Sequence, residues 1–252
     1  FVLVFDPENE TSITTKETAA ICNRQTGIGA DGLIRIGKKD GKWFMDYRNK
    51  DGSLAEMCGN GVRVMARYLI DRGHQSGSIF AIDTRAGMKY LSVLDDGNIS
   101  VNLGKVEALG EDIEVKANGK KWSGGINVDV GNPHAVVFVE SVADAGDLKS
   151  APVVNPKSQF PDGVNVEFVE FTENGELKMR VHERGVGETR SCGTGICAVA
   201  MAATLKTGKK LPAKWVINPP GGRLEVEIDA HSNAILTGPA VLISDCELDS
   251  YL

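Results

Sequence analysis

The feature that most constrains this chain is an internal repeat with an offset of 134 residues. Cys58 in EMCGNGVR matches Cys192 in RSCGTGICA, and both cysteines open a C-G-x-G motif. Two further pairs of polar residues keep the same offset: Asn49 with Glu183, and Asp31 with Asn165. Self-similarity at a fixed spacing marks the duplication of one structural unit. The sequence therefore predicts two related halves.

Each C-G-x-G motif is followed by a predicted helix. Apolar residues recur at helical spacing over 62–70 and over 196–203, and glycines at 73 and 208 favour helix ends. Because both segments are apolar around much of the helix circumference, we expect each helix to run through a core. Cys58 and Cys192 are then placed at helix N-termini.

Most of the remaining chain has the composition of short strands. The segments rich in β-branched or aromatic residues and bounded by Gly, Asp or Asn are 1–5, 43–48, 98–103, 135–139, 164–171, 177–182 and 223–228. AVLISD (240–245) predicts a last strand that returns to complete the first half. Many strands and few helices indicate an α+β fold.

A thiol at a helix N-terminus is suited to chemistry. Unpaired N–H groups and the positive end of the helix dipole stabilise a thiolate there, so we expect lowered pKa values for Cys58 and Cys192. The same N–H groups and the flanking glycines can hold a carboxylate. If two such sites act on one carbon, one thiolate removes a proton and the opposite thiol delivers one to the other face. This is the chemistry of an epimerase.

The other candidate residues have less specific interpretations. We interpret Cys22, Cys197 and Cys246 as buried small hydrophobes. His134 follows a proline in a turn and could orient a pocket group or be a satisfied loop histidine. The adjacent Glu183 and Arg184 could form a surface ion pair, or bind the ammonium and carboxylate of an amino acid.

The composition excludes several classes of protein. With 28 Lys and Arg against 34 Asp and Glu, the net charge of −6 disfavours binding to nucleic acid or to a membrane surface through basic patches. No metal-ligand spacing and no dinucleotide-binding glycine pattern is present in the sequence, so neither a metal nor a cofactor is predicted. No apolar run reaches membrane-spanning length. The start at FVLVFD indicates a trimmed N-terminus. The five scattered cysteines favour a reducing cytoplasm over a disulfide framework.

At the level of long motifs, the chain resembles diaminopimelate epimerases. The matching segments are EMCGNGVR (56–63), GNPHAVV (131–137), VNVEF (164–168) and ERGVGETRSCGTGICA (183–198). The resemblance implies two halves related by pseudo-twofold symmetry, each a mixed β-barrel wrapped around a central helix. We draw them as 1–104 plus 239–252, carrying Cys58, and 105–238, carrying Cys192. It also implies a cytoplasmic homodimer that interconverts LL- and meso-diaminopimelate without a cofactor, for lysine and peptidoglycan synthesis.

The resemblance also assigns roles by motif. Cys58 and Cys192 would be the catalytic pair, with Cys192 the base and Cys58 the acid for the LL substrate. Gly59, Asn60, Gly193 and Thr194 would hold the reacting carboxylate. The residues expected to bind the rest of the substrate are Asn49, Asn132, Asn165, Glu183 and Arg184.

The chain departs from the family pattern in two places. The early Gly-Asn-Asp-Phe of the family is present only as Phe1, so the repeat counterpart of Asn132 would precede residue 1. Many members have Gln where this chain has Gly32, which leaves that substrate contact open.

Three alternatives remain open at this stage. A proline or hydroxyproline racemase with two cysteines would need fewer polar binding groups than this chain offers. A cysteine hydrolase, with Cys192 as nucleophile and His134 or His182 as base, would leave the second cysteine unexplained. A non-catalytic amino-acid-binding protein would need no thiols.

Overall fold

The computed structural model describes residues 1–247, with every side chain in that range except that of Glu111. The chain divides into two compact units: Phe1–Val101 together with the segment that begins at Pro239, and Asn102–Gly238. This division falls three residues before the predicted boundary at 104, and residues 248–252 of the predicted first half lie outside the described residues. The assignment of one catalytic half to each unit stays a prediction.

The first unit contains a three-stranded sheet, two helices and a further group of strands. Its elements in chain order are β1 (Val2–Phe5), α1 (Thr15–Cys22), β2 (Gly32–Lys39), β3 (Lys42–Asn49), α2 (Gly59–Asp71), β4 (Ile79–Ile82), β5 (Lys89–Val93) and the start of β6 (Ile99–Lys105). Strand β1 pairs in parallel with β2, which pairs antiparallel with β3. Strands β4, β5 and β6 form an antiparallel meander. Asn49 ends β3, and the segment that connects β3 to α2 ends at Cys58.

The second unit is one mixed sheet around a helix. Its elements are β7 (Glu107–Ala117), β8 (Lys120–Asp129), β9 (Pro133–Phe138), β10 (Val153–Asn155), β11 (Asn165–Phe171), β12 (Leu177–Glu183), β13 (Gly187–Thr189), α3 (Gly193–Thr207), β14 (Ala213–Asn218), β15 (Leu224–Ile228) and β16 (Asn233–Gly238). The strand order is β10-β7-β8-β9-β11-β12-β14-β15-β16, with β13 beside β12. The pairs β9–β11 and β12–β14 are parallel, and the others are antiparallel.

Helix α3 is the centre of the second unit. It packs against seven of that unit's strands: β7, β8, β9, β11, β14, β15 and β16. Residues Ile196–Thr204 are buried without interruption, which confirms the predicted helix through a core. Helix α2 differs, because it buries the stripe Val62, Met65 and Leu69 and leaves Arg67 and Tyr68 partly exposed.

The predicted strand at 240–245 is wrong. The segment has no strand structure, and Val241 and Ile243 are 72% and 94% exposed. Two arginines bind it instead: Arg67 of α2 donates to the carbonyl of Ala240, and Arg72, the residue after α2, forms an ion pair with Asp245. The segment has the apolar alternation of a strand, but no partner strand supplies the backbone hydrogen bonds that a strand requires.

No helix within residues 1–247 is long and apolar enough to cross a membrane.

Candidate active site

Both repeat cysteines are the N-cap residues of helices. Cys58 precedes α2 and Cys192 precedes α3, and each has an extended backbone conformation. The first turns that follow contain Gly59 and Asn60 in α2, and Gly193 and Thr194 in α3. The N–H groups of a first helical turn have no partner within the helix, so both ends can accept an anionic group.

Cys192 lies in a buried and negatively charged environment. Its Sγ accepts a hydrogen bond from the N–H of Gly195 at 3.4 Å and lies 3.5 Å from the hydroxyl of Thr194. Burial raises the pKa of the Cys192 thiol well above its ordinary value, and the carboxylates of Glu183 and Glu167 raise it further. The expected lowering of this pKa is therefore wrong for Cys192, because desolvation and two nearby carboxylates outweigh the helix end.

The second glycine of each C-G-x-G motif leaves room for a neighbouring side chain. A Cβ atom at Gly195 would lie 2.7 Å from Oε1 of Glu167 and 3.4 Å from Sγ of Cys192. A Cβ atom at Gly61 would lie 2.9 Å from Cδ1 of Ile34. A side chain at either glycine would therefore displace that neighbour, which is a carboxylate at Gly195 and an isoleucine methyl group at Gly61.

Asn165 joins two loops of the second unit. It opens β11, where its amide N–H donates to the carbonyl of Pro133 at 3.1 Å. Its Oδ1 accepts a hydrogen bond from the backbone N–H of Arg184 at 2.9 Å. The buried Asn165 amide therefore fixes the loop that carries Asn132 against the end of β12.

The neighbouring charges Glu183 and Arg184 have different environments. The Glu183 carboxylate accepts a hydrogen bond from the hydroxyl of Thr189, and burial raises the pKa of Glu183. Arg184 is exposed, and its guanidinium donates to the carbonyl of Asp162 at 3.3 Å. Glu183 thus lies near Cys192, whereas the guanidinium group of Arg184 is exposed to solvent.

Sequence reasoning missed Glu167. This residue lies in the middle of β11 and is fully buried, with Oε1 at 2.6 Å from Nδ1 of His134. The other ring nitrogen of His134, Nε2, lies 3.1 Å from Oδ1 of Asn132. The available signal was a carboxylate inside the apolar strand segment VNVEFV, since a buried charge requires a partner.

The first unit places Asn49 and Asn60 near Cys58 in sequence, each with a local partner. Asn49 ends β3, and its amide donates to the hydroxyl of Ser53 at 3.0 Å. The Oδ1 of Asn60 accepts from the buried guanidinium of Arg63 at 2.9 Å. These hydrogen bonds fix the two amide groups before any ligand binds.

Gly32 has no room for a side chain. A Cβ atom there would lie 2.5 Å from the carbonyl oxygen of Arg48 and 2.6 Å from Cε2 of Tyr47. The ring of Tyr47 occupies the space that a larger residue at position 32 would need. A substrate contact from a position-32 side chain is therefore excluded in this chain.

The remaining cysteines are of two kinds. Cys22 and Cys197 are buried, as expected, but Cys246 is exposed, so its reading as a buried hydrophobe is wrong. None of the five cysteines, all of which lie within residues 1–247, takes part in a disulfide.

Within the second unit, the structure thus groups the predicted residues Asn132, Asn165, Glu183, Cys192, Gly193 and Thr194 around the start of α3, with Arg184 on the exposed side. Within the first unit, Cys58, Gly59 and Asn60 lie at the start of α2, and Asn49 ends the preceding strand.

Solved structures of other proteins share this fold. The phenazine biosynthesis protein of the PhzF family from Bacillus anthracis superposes with a TM-score of 0.67 at 14% identity, covering 92% of this chain and 88% of that one. A hydroxyproline epimerase from Agrobacterium vitis with bound trans-4-hydroxy-L-proline gives a TM-score of 0.64 at 17% identity, covering 91% and 79%. The likeness confirms the predicted α+β fold.

Sequence comparisons are more specific. The family model for diaminopimelate epimerase matches residues 1–109 and 126–243. The diaminopimelate epimerase of Streptomyces coelicolor is 43% identical to this chain, covering 99% of the chain and 92% of that protein. That of Thermobifida fusca is 41% identical, covering 97% and 92%. The predicted resemblance is confirmed, and the chain belongs to the diaminopimelate epimerase family.

Proposed function

We propose that this chain is an isomerase that interconverts LL- and meso-diaminopimelate without a cofactor, in lysine and peptidoglycan biosynthesis. Family membership over nearly the whole chain supports the reaction and the substrate. The observation that carries the mechanism is the pair of cysteines, Cys58 and Cys192, each at the N-cap of a helix that a C-G-x-G motif opens.

The two cysteines would act as acid and base. With the LL substrate, the Cys192 thiolate removes the α-proton from one face of the carbon, and the Cys58 thiol delivers a proton to the other face. In the reverse direction the roles exchange. A raised pKa suits Cys192 to both roles, because its thiol form is stable as the acid and its thiolate is strongly basic once formed.

The helix ends would stabilise the charge that develops in the reaction. Removing the α-proton moves negative charge onto the substrate carboxylate. The first-turn N–H groups at Gly59 and Asn60, and at Gly193 and Thr194, are fixed donors for that charge. Because these donors belong to the backbone of the first turns, they need little reorganisation during proton transfer.

The distal end of the substrate carries a second ammonium and a second carboxylate. Five side chains are candidates for binding it: Asn49, Asn132, Asn165, Glu183 and Arg184. Arg184 is an exposed cation suited to the carboxylate, and Glu183 is a partly desolvated acceptor suited to the ammonium. A ring amino acid such as proline has no second headgroup to use them.

The contacts of His134 argue against its role as the base of a cysteine hydrolase. A cysteine hydrolase needs a base hydrogen-bonded to the nucleophile. The two ring nitrogens of His134 face Glu167 and Asn132, so neither is directed at Cys192.

The proposal extends to a homodimer in the cytoplasm. In the first unit, Ile79 and Tyr90 are 75% and 64% exposed. They share one face of the β4–β5 pair, since Ala81 lies opposite Tyr90 and Ile79 opposite Ser92. Exposed apolar side chains on one sheet face suit contact with a second copy. Light scattering should give twice the mass of the chain, and Ile79→Lys should reduce it to one.

Solvent exchange tests the reaction. In deuterated water, product formed from LL-diaminopimelate should carry deuterium at the inverted carbon from the first turnover, whereas remaining substrate should gain it much more slowly. The delivered proton comes from the thiol that has equilibrated with solvent. Early product that kept its original hydrogen would contradict a mechanism with two bases. Equal turnover of L-proline or trans-4-hydroxy-L-proline would contradict the substrate, and dependence on added metal or pyridoxal phosphate would contradict a cofactor-free reaction.

A further inference from the structure

Glu167 lies among the candidate site residues, and no part in binding the substrate has been assigned to it. Its side chain is fully buried, and its Oε1 lies 2.6 Å from Nδ1 of the equally buried His134. Its second carboxylate oxygen, Oε2, is buried without a hydrogen-bond partner. A buried carboxylate is costly unless a charge or hydrogen bonds compensate it. His134 is therefore the partner on which the burial of Glu167 depends.

Both ring nitrogens of His134 have an oxygen atom as their neighbour. Nδ1 faces a carboxylate oxygen, and Nε2 faces Oδ1 of Asn132 at 3.1 Å. Carboxylate and amide oxygens accept hydrogen bonds, so this orientation of the Asn132 amide fits a ring that donates from both nitrogens. A histidine with hydrogens on both nitrogens is an imidazolium cation. The arrangement is that of a buried ion pair with a charge-assisted hydrogen bond.

The ion pair lies against the start of α3. A Cβ atom at Gly195 would lie 2.7 Å from Oε1 of Glu167 and 3.4 Å from Sγ of Cys192, so the carboxylate and the thiol flank the same first turn. The positive end of the helix dipole favours a carboxylate there. Glu167 and its partner His134 are therefore both buried close to Cys192.

We propose that Glu167 is a positioning residue that acts through His134 on the amide of Asn132. The His134 imidazolium binds Oδ1 of Asn132 and so turns the amide NH2 group away from the ring. Asn132 then offers hydrogen-bond donors to a carboxylate of the substrate. This proposal rests on the proposed function, because it requires that Asn132 contacts the substrate.

The charge of Glu167 decides which way the amide turns. With Glu167→Gln, His134 loses the charge that stabilises its second proton, and a neutral ring with hydrogen on Nδ1 has an accepting Nε2. The Asn132 amide would then rotate to donate to the ring and would present its oxygen to the substrate. An oxygen facing a carboxylate weakens binding.

The protonation state can be measured without activity. Long-range ¹H–¹⁵N correlation spectra of the substrate-free protein at about pH 8, where an isolated histidine is neutral, should show hydrogens on both ring nitrogens of His134. The chain has four histidines, and a His134→Gln variant assigns the signals. In Glu167→Gln, the ring should carry one hydrogen. A wild-type ring with a single hydrogen would overturn the proposal even if the variant failed to fold.

Kinetics test the link to Asn132. Glu167→Gln should raise KM for diaminopimelate about tenfold or more, with a smaller fall in kcat, because it removes a contact made before the chemical step. In an Asn132→Ala background, the same substitution should change KM less than twofold, since coupled residues are not additive. The matched control is Glu170→Gln on the same strand, where the carboxylate binds Lys178 and the N–H of Val142, and it should leave KM unchanged.

The outcomes separate this proposal from the proposed function. Equal effects of Glu167→Gln with and without Asn132 would overturn the relay through His134. If Asn132→Ala left KM unchanged while the imidazolium was observed, the substrate contact of Asn132 would be wrong, and with it the positioning role of Glu167.

Discussion

The backbone N–H of Gly195 donates a hydrogen bond to Sγ of Cys192, so the proposed catalytic thiol caps its own helix. The same sulfur is buried beside two carboxylates, which raise the pKa of Cys192. The helix end and the burial thus act in opposite directions on one thiol, and burial is the larger effect. Several measurements depend on this balance.

Removal of either thiol should stop the reaction. We expect Cys58→Ala and Cys192→Ala each to lower kcat/KM by about a thousandfold or more, since each removes one of two proton-transfer groups. Circular dichroism should show an unchanged fold. Cys246→Ala, which removes an exposed cysteine, is the control and should be fully active. Either catalytic variant retaining about a tenth of wild-type kcat/KM, a loss of only ~1.4 kcal/mol, would contradict the mechanism with two thiols.

The reactivity of Cys192 should respond to its carboxylate neighbours. Glu183→Gln removes a negative charge that raises the pKa of Cys192, so more thiolate should be present at a given pH. Iodoacetamide labelling of Cys192, followed by peptide mass spectrometry, should accelerate, and its rate should rise from a lower pH than in wild type. Glu188→Gln, which alters an ion pair with Arg180 instead, is the control. No difference between the two variants would mean that Glu183 does not act on the thiol.

The same substitution should stabilise the protein near neutral pH. Because burial raises the pKa of Glu183 in the folded state, its carboxyl group favours folding below its unfolded pKa and loses this contribution as pH rises through the folded pKa. At pH 7 to 8 the buried charge is a cost that Glu183→Gln removes. A gain of about 1 kcal/mol would raise Tm by roughly 2–4 °C. Calorimetry at pH 8 and at pH 4 should show the gain shrinking at the lower pH, and a larger gain at pH 4 would contradict the sign.

A buried hydrogen bond between α3 and β14 should matter for stability. The indole N–H of Trp215 donates to the hydroxyl of Thr204 at 2.9 Å, and that hydroxyl donates to the carbonyl of Ala200. Thr204→Val keeps the shape but leaves the indole unpaired, which should cost about 1–3 kcal/mol. The control is Thr207→Val, one turn later, whose exposed hydroxyl bonds only to helix carbonyls.

Urea unfolding monitored by tryptophan fluorescence measures both threonine variants. Thr204→Ser retains the hydroxyl and should stay close to wild type. Equal losses in Thr204→Val and Thr207→Val would show that the contact with Trp215 adds nothing beyond helix propensity.

The sequence predicted the elements whose signals are local. Helix α3 follows from its apolar periodicity and from Gly208, which ends it with a left-handed backbone. Helix α1 was missed although its signal was also local: Thr14 and Glu17 form a capping box. The strand predicted at 240–245 failed because pairing depends on a neighbour that no local pattern reveals.

The candidate site was predictable only where the repeat marked it. Cys58 and Cys192 could be identified because the C-G-x-G motif occurs twice in the sequence. The pKa of Cys192 was misjudged because burial raises it most and the carboxylates of Glu183 and Glu167 raise it further, and the fold sets all three effects. Burial and charge at a site are properties of the folded neighbourhood, so residue spacing alone could not supply them.

The two equivalent glycines, Gly61 and Gly195, have consequences for how the duplicated halves diverge. The space that each leaves open holds the methyl end of Ile34 in one unit and the carboxylate of Glu167 in the other. A chain built from two copies of the first unit would have an isoleucine methyl group beside both glycines. A chain built from two copies of the second unit would have a buried carboxylate beside both. The two C-G-x-G motifs are therefore not interchangeable modules, because the difference between their surroundings lies in residues outside the motif that they share.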